Sequence, residues 1–369
     1  MSILSLITKK ELEYNKMFDE LRGSGLSTIF YGTSAAASKF YKSFIELELN
    51  IDTVMVSPAY FVENSYFFDH KIANSNDILD TTAEPTSDKK NVVVFFGIDD
   101  ESLKMLKASK LIEKIFLIDG GVCFLTNFLY DEIKEKDTEY TETYNLLQDK
   151  LSKDIMVGFI NTRISGFADS IREYSIPDSY FPRGVVSLQD HEVFLDCGAF
   201  DGDTIEIFKQ QMKSVNKSYD KIFGFEPDKE NFKKLQINCA EDDKIFPLNI
   251  GVFNKRDTLN FTSEGTGGSR LNETGTSSIE VDMIDNLIGE DVPVTFIKMD
   301  LEGVELEALK GAKDTIINCK PILAIAVYHK IEDLIEIPKY IKSLVSDYKF
   351  YLRAQCYDSV DMTLFAIAR

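Results

Sequence analysis

No Cys-X-X-Cys pair occurs in this chain, and its 5 cysteines are scattered and odd in number. That argues against a zinc knuckle and a disulfide framework, and fits a reducing cytosol. Basic charge is also scarce. The chain has 41 lysines and arginines against 61 aspartates and glutamates, a formal net charge of −20. A nucleic-acid partner needs a basic face, and so does an anionic membrane surface, so neither is expected. The excess acid reads as a solvated surface that keeps the protein soluble. Long apolar runs are missing too. The longest, near residues 92–98, is strand-sized, so no membrane insertion is expected. Residues 1–6 are too short for a signal-peptide core, and Lys9, Lys10 and Glu11 follow at once. A cytoplasmic location is the expectation. There is no internal repeat and no low-complexity tract, and histidines number only 3.

The apolar fraction, 44%, is ordinary for a globular protein with a full core. Strand-like and helix-like runs alternate twice along the chain. Strands are expected near 28–31, 53–56, 91–96 and 114–118, with helices over 8–22, 35–47 and 102–110. That rhythm implies a parallel sheet covered by helices on both faces. Residues 1–125 therefore read as a small Rossmann-like domain. Its nucleotide signal is poor: Gly32 is the only glycine of the first turn, and Val56-Ser57-Pro58 ends the second strand without an acid. A structural, substrate-orienting or dimerising role suits it better, and a homo-oligomer is compatible with that. Residues 126–185 read as a linker of two helices with Leu146, Leu147, Leu151 and Ile155 as a buried stripe. Tyr180, Phe181 and Pro182 then form a packed linker or a lid, the linker being favoured.

Residues 186–369 form the second alternating unit, which starts from 193–204: Val-Phe-Leu-Asp-Cys-Gly-Ala-Phe-Asp-Gly-Asp-Thr. An apolar strand, a glycine turn and a helix in that order make a ligand-binding corner. Gly198 would let a ligand approach the backbone. Asp203 is the expected N-cap, with Glu206 completing a capping box. The glycines Gly198 and Gly202 do not fit the G-x-G-x-x-G of a nicotinamide site. The D-x-G-x-x-x-G-x-T form, from Asp196 to Thr204, is instead that of motif I in S-adenosylmethionine-dependent methyltransferases. Free N–H groups at the helix start suit a methionine carboxylate, and Asp196 suits the ammonium and sulfonium.

Four expected strands end in polar residues: Asp196, Glu226, Asp300 and His329. In open parallel sheets the ligand sits beyond the carboxyl ends of the strands, so these side chains are expected to converge. Glu226 lies one strand–helix–strand unit after Asp196, where an acid accepts the ribose hydroxyls of an adenosine; Asp228 is the better cap for the helix that follows. His70 and His191 lie away from the crevice, which leaves His329 as the histidine placed to accept a proton. Asp300 and Glu302 either hydrogen-bond substrate hydroxyls or hold a hard divalent cation, the cation being the minority reading.

Over residues 180–369 the sequence resembles the FkbM family of S-adenosylmethionine-dependent O-methyltransferases. The resemblance rests on 193–204, Gly224-Phe225-Glu226-Pro227, 297–305, Leu309-Lys310-Gly311-Ala312, 324–330 and the tail 361–368. The amino-terminal half is similar to domains found on members linked to surface-glycan and secondary-metabolite pathways. The resemblance implies an α/β class I methyltransferase domain. It implies cofactor contacts at Asp196, Gly198, Phe200, Asp201, Gly202, Thr204, Glu226 and Pro227, and a reaction face at Asp300, with Glu302 and His329 beside it. Ala354 and Gln355 follow Tyr351-Leu352-Arg353, where relatives often carry histidine, so no substrate role is carried over there. The expected activity is methyl transfer from S-adenosylmethionine to a hydroxyl of a small-molecule or glycan acceptor. The competing reading is a non-catalytic scaffold that binds the cofactor or a nucleotide-sugar.

Overall fold

A computed structural model describes residues 2–79, 88–123, 125, 128–176, 180–262, 270–271 and 277–368. The chain divides into two compact units. The first comprises residues 1–138, 154–177 and 356–361, the second 139–153, 178–355 and 362–369.

Among the described residues the first unit holds six strands: β1 (Thr28–Tyr31), β2 (Ile51–Val56), β3 (Tyr66–Phe67), β4 (His70–Asn74), β5 (Lys90–Val94) and β6 (Ile112–Leu117). They lie in the order β3-β4-β2-β1-β5-β6, parallel except where β3 meets β4. Period-two alternation along the strands loads both faces. Phe30, Val54 and Val93 enter one core, while Ile29, Met55, Val92 and Val94 enter the other. Gly32 turns the chain after β1 at φ +109°, and a Cβ there would meet the Phe96 ring at 2.9 Å. Ser34 then caps the helix Ala35–Glu46.

Two expectations are corrected here. The first long helix runs Tyr14–Ser24 rather than from residue 8. The N–H groups of Thr8 and Lys9 donate to Asn161 Oδ1, at 2.9 Å each. Gly25, at φ +66°, ends it. Between 126 and 177 there are four described helices instead of two: Tyr130–Glu135, Asp137–Leu146, Lys150–Ser165 and Asp169–Arg172. The expected stripe is interrupted because Asp149 accepts the Ser152 N–H and starts a new helix. Leu147 and Ile155 are buried, while Leu146 and Leu151 are only half-buried.

The second unit continues with β7 (Glu192–Cys197), β8 (Tyr219–Phe225), β9 (Ile245–Leu248), β10 (Gly251–Val252), β11 (Asp257–Thr262), β12 (Arg270–Leu271), β13 (Ser277–Asp282), β14 (Phe296–Met299), β15 (Ile322–Ala326), β16 (Lys349–Ala354) and β17 (Met362–Ile367). Strands β10 to β13 make a small four-stranded sheet; the rest form a seven-stranded sheet ordered β16-β17-β15-β14-β7-β8-β9. From β7 the chain steps outward through β8 to β9, then returns to β14 on the other side of β7. The switch in strand order therefore falls between β7 and β14, where doubly wound sheets open a ligand crevice.

An aromatic cluster fixes the first strand. Phe194 stacks on Phe208 at 4.6 Å between centroids and meets Phe296 edge-on at 5.5 Å. Phe181 closes this cluster against Phe208 and Phe296. It is a buried packing residue; residues 178–179 lie outside the described ones. Among the described residues no helix is long and apolar enough to cross a membrane.

Truncating Phe194, which is fully buried, to alanine is expected to cost about 3–5 kcal/mol. Urea unfolding would read this as a lower midpoint at unchanged slope; a midpoint equal to the parent's would contradict the assigned core.

Candidate active site

The turn after β7 is set by neighbouring backbone. Gly198 sits at φ +80°, and a Cβ on it would stand 2.1 Å from the Asp300 carbonyl oxygen. Glycine is thus required there by the approach of the β14 loop. The N–H groups of Gly198 and Ala199 both donate to the Phe225 carbonyl at 3.0 Å, tying the turn to the end of β8. Gly202, at φ +93°, takes the N-cap position of the helix Asp203–Ser214, and its missing Cβ faces Leu235. The expected cap is therefore corrected. Asp203 is the first helical residue, its Oδ1 accepts the Thr204 N–H, and no side-chain cap from Gly202 exists. Left-handed geometry at the cap position suits glycine, which displaced Asp203 by one place. Thr204 is buried beneath this helix start. The Asp201 carbonyl accepts from Asn238 Nδ2 at 2.8 Å, and the Pro227 carbonyl from Asn249 Nδ2 at 3.1 Å.

Glu226 follows β8 and joins two turns. Its Oε1 accepts the Asp228 N–H at 2.8 Å, and its Oε2 accepts the Phe200 N–H at 2.9 Å. Phe200 is held at φ +47°, unusual for a side chain with a ring. Each carboxylate oxygen still has capacity for a further donor. Burial pushes the carboxyl up to about 7 against the pull of these two N–H groups. Asp228, as expected, caps the next helix by accepting from Glu230 and Asn231.

Asp196 does not close its strand; it is the penultimate residue of β7 and fully buried. Its register partner on β14 is Lys298. Parallel partners point to the same face, and Lys298 Nζ lies 3.2 Å from Asp196 Oδ1 while donating to the Gly198 carbonyl at 2.8 Å. Lys298 thus meets the charge of Asp196, while both carboxylate oxygens are buried without a hydrogen-bond partner. Burial raises Asp196 to about 6, with Lys298 pulling the other way. Burial also opposes the lysine's charge, yet Asp196 and Asp300 hold the ammonium above its ordinary range. The sequence signal was present: a lysine inside Phe-Ile-Lys-Met, a buried strand, requires an anion opposite.

The third group forms around His329, three residues beyond β15. Its side chain is 4% exposed. Nδ1 lies 3.0 Å from Glu305 Oε1, and Nε2 lies 3.6 Å from both Asp300 Oδ1 and Glu302 Oε2. Tyr328 donates its hydroxyl to Asp300 Oδ1 at 3.2 Å. Glu305 is buried at a helix start, where Oε1 also accepts the N–H groups of Leu301 and Gly303. That hold bends the loop through Glu302 at φ +56° and Gly303 at φ +97°. Burial disfavours the imidazolium, but Glu305 above all, then Asp300 and Glu302, raise it to about 9. The surrounding acids thus favour the charged ring over the neutral one. Burial and then the nearby Glu305 push Asp333, next to this group, up to about 7.

Asp300, Glu302 and His329 are thus brought together at the ends of β14 and β15, and Glu226 is brought to the β7 turn. His191, as expected, stands apart, on Asp220. Lys298, Glu305, Tyr328 and Asp333 were not singled out from the sequence.

The second unit's strand order, with its acid-lined carboxyl edge, defines an α/β protein with a Rossmann-like methyltransferase fold. Residues 196–350 match the family described as Methyltransferase FkbM domain. The crystal structure of methyltransferase FkbM from Methylobacillus flagellatus KT is similar with a TM-score of 0.65 at 21% identity, over 92% of this chain and 89% of that one. An rRNA methylase from Streptococcus thermophilus matches with a TM-score of 0.32 at 12% identity, over 49% of this chain and 90% of that one. No curated protein matches the sequence.

Removing Lys298 alone leaves a buried carboxylate without its partner. Lys298→Met is expected to cost roughly 3–5 kcal/mol, and adding Asp196→Leu to recover much of it. Denaturant titration of both variants measures this; a Lys298→Met protein as stable as the parent would show that the pair is dispensable.

Proposed function

We propose that this chain is an S-adenosylmethionine-dependent O-methyltransferase acting on a hydroxyl of a sugar, in glycan or secondary-metabolite biosynthesis. The observation that carries the reading is Glu226. It is a buried carboxylate at the end of the second strand, oriented by two backbone N–H groups and with acceptor capacity left on both oxygens. That is the chemistry a ribose diol needs. The FkbM domain match over 196–350 supports use of this cofactor in general.

When bound, S-adenosylmethionine supplies an activated methyl group. The residues of this chain then have three tasks. Glu226 and the turn 198–202 hold the nucleoside end. Asp300, one quarter exposed where Glu305 is fully buried, faces the open side and accepts the proton that the acceptor hydroxyl loses. The imidazolium of His329 is a positioning group. Its charge keeps Asp300 and Glu302 converged. Alignment of the acceptor oxygen with the methyl carbon supplies much of the acceleration. A hydroxyl-rich acceptor suits an edge lined with carboxylate acceptors, and this supports a sugar.

Two outcomes test the reading. Ionised Glu226 accepts both ribose hydroxyls and the protonated acid does so poorly, so affinity should fall as pH drops through about 7. Calorimetric titration with S-adenosylmethionine is expected to show roughly tenfold weaker binding at pH 6 than at pH 8, the ratio set by the competent fraction. In Glu226→Gln the dependence should vanish along with most affinity; a parent-like profile there would remove the ribose assignment. Asp300→Asn should keep cofactor affinity yet lose about 10²–10⁴-fold in turnover on an acceptor found by screening nucleotide-linked sugars. Undiminished turnover would reject Asp300 as proton acceptor.

A further inference from the structure

The cluster at the ends of β14 and β15 has a feature that methyl transfer alone does not explain. Three carboxylates, from Asp300, Glu302 and Glu305, converge on a single imidazole. Whatever form the ring takes, the cluster keeps a net negative charge. The ligand-capable atoms of Asp300, Glu305 and His329 all lie within 4.8 Å of one another.

The two ring nitrogens meet different surroundings. Nδ1 faces Glu305 at hydrogen-bond distance, 3.0 Å. Nε2 faces the oxygens of Asp300 and Glu302 at 3.6 Å, too far for a hydrogen bond, and both ring nitrogens are buried without a hydrogen bond of full geometry. Ligand atoms around one divalent ion, each about 2.1 Å from it, stand roughly 3–3.6 Å apart. The Nε2 spacings match that. A ligating histidine commonly gives its other nitrogen to a carboxylate, which fixes the tautomer and the ring plane. Glu305 is so placed, and is itself anchored by the Leu301 and Gly303 N–H groups.

We infer that His329 Nε2, Asp300 and Glu302 form a binding site for a divalent first-row transition metal, which takes the place of the Nε2 proton and its charge, with Glu305 orienting the imidazole. One nitrogen with two carboxylate oxygens favours an ion of the Mn²⁺ type over Ca²⁺ or Mg²⁺, which prefer all-oxygen shells. Asp300 and Glu302 are each about a quarter exposed, so the site opens to solvent and has room for further ligands. The acceptor's hydroxyl oxygens would complete the shell; that last statement rests on the proposed function, whereas the metal site itself does not.

The test uses the full chain, stripped with a chelator and then dialysed. Mn²⁺ titration followed by electron paramagnetic resonance is expected to show one saturable site without cofactor or acceptor. Asp300→Asn and Glu302→Gln change groups that reach solvent, and each should weaken Mn²⁺ binding at least tenfold while circular dichroism stays unchanged. Glu305→Gln, an orienting change, should weaken it about tenfold. Glu336→Gln, an exposed acid elsewhere, should have no effect. Absence of saturable Mn²⁺ binding to folded protein, or binding indifferent to Asp300→Asn and Glu302→Gln, would overturn the inference. Parallel S-adenosylmethionine titration separates the two claims: metal binding without cofactor binding would reject only the proposed function, and the reverse only the metal site.

Discussion

The carboxyl edge of the seven-stranded sheet depends on the buried ion pair between Lys298 and Asp196. Adjacent parallel strands put the two residues in register, so the lysine on β14 meets the acid on β7 without leaving the sheet. The same ammonium holds the Gly198 carbonyl and so anchors the turn that carries Phe200 to Glu226. It also lies close enough to Asp300 for that acid to help keep it charged. One cation thus organises the β7 turn and the start of the β14 loop together. A second, the His329 imidazolium, does the same for the three acids beyond β14. An acidic edge of this density would repel itself apart without these two positive groups.

Much of this was legible in the sequence. Alternating apolar runs locate the strands because each sheet is covered on both faces, and fully buried strands read as unbroken apolar segments. Asp228, with its two N–H partners, behaves as a helix cap of that residue type should. The convergence of Asp300, Glu302 and His329 follows from topology, since parallel strands end on one edge. What was not legible has physical causes. Asp203 lost the cap position because Gly202 could adopt a left-handed backbone one residue earlier. The charge of Asp196 is taken up from β14, far away in sequence, a pairing that register alone fixes. The protonation of His329 depends on Glu305, whose side chain is turned inward by the loop it caps.

The first unit follows a similar pattern with a differently filled turn. Its parallel sheet and first turn follow the same rhythm, but the space beside Gly32 is occupied by the Phe96 ring. Ser34 spends its hydroxyl on the Phe95 carbonyl and the helix start. In the second unit the corresponding turn carries polar groups that converge on Glu226. The difference between the two turns lies in which side chains the neighbouring strands deliver, not in the strand–turn–helix path.

The most direct measurement is a crystal structure of the full chain grown with S-adenosylhomocysteine, the demethylated product of the proposed donor. The account predicts both ribose hydroxyls on the Glu226 carboxylate, with the sulfur directed toward the Asp300 side of the crevice. A nucleoside bound elsewhere, or a ribose that leaves Glu226 untouched, would contradict it.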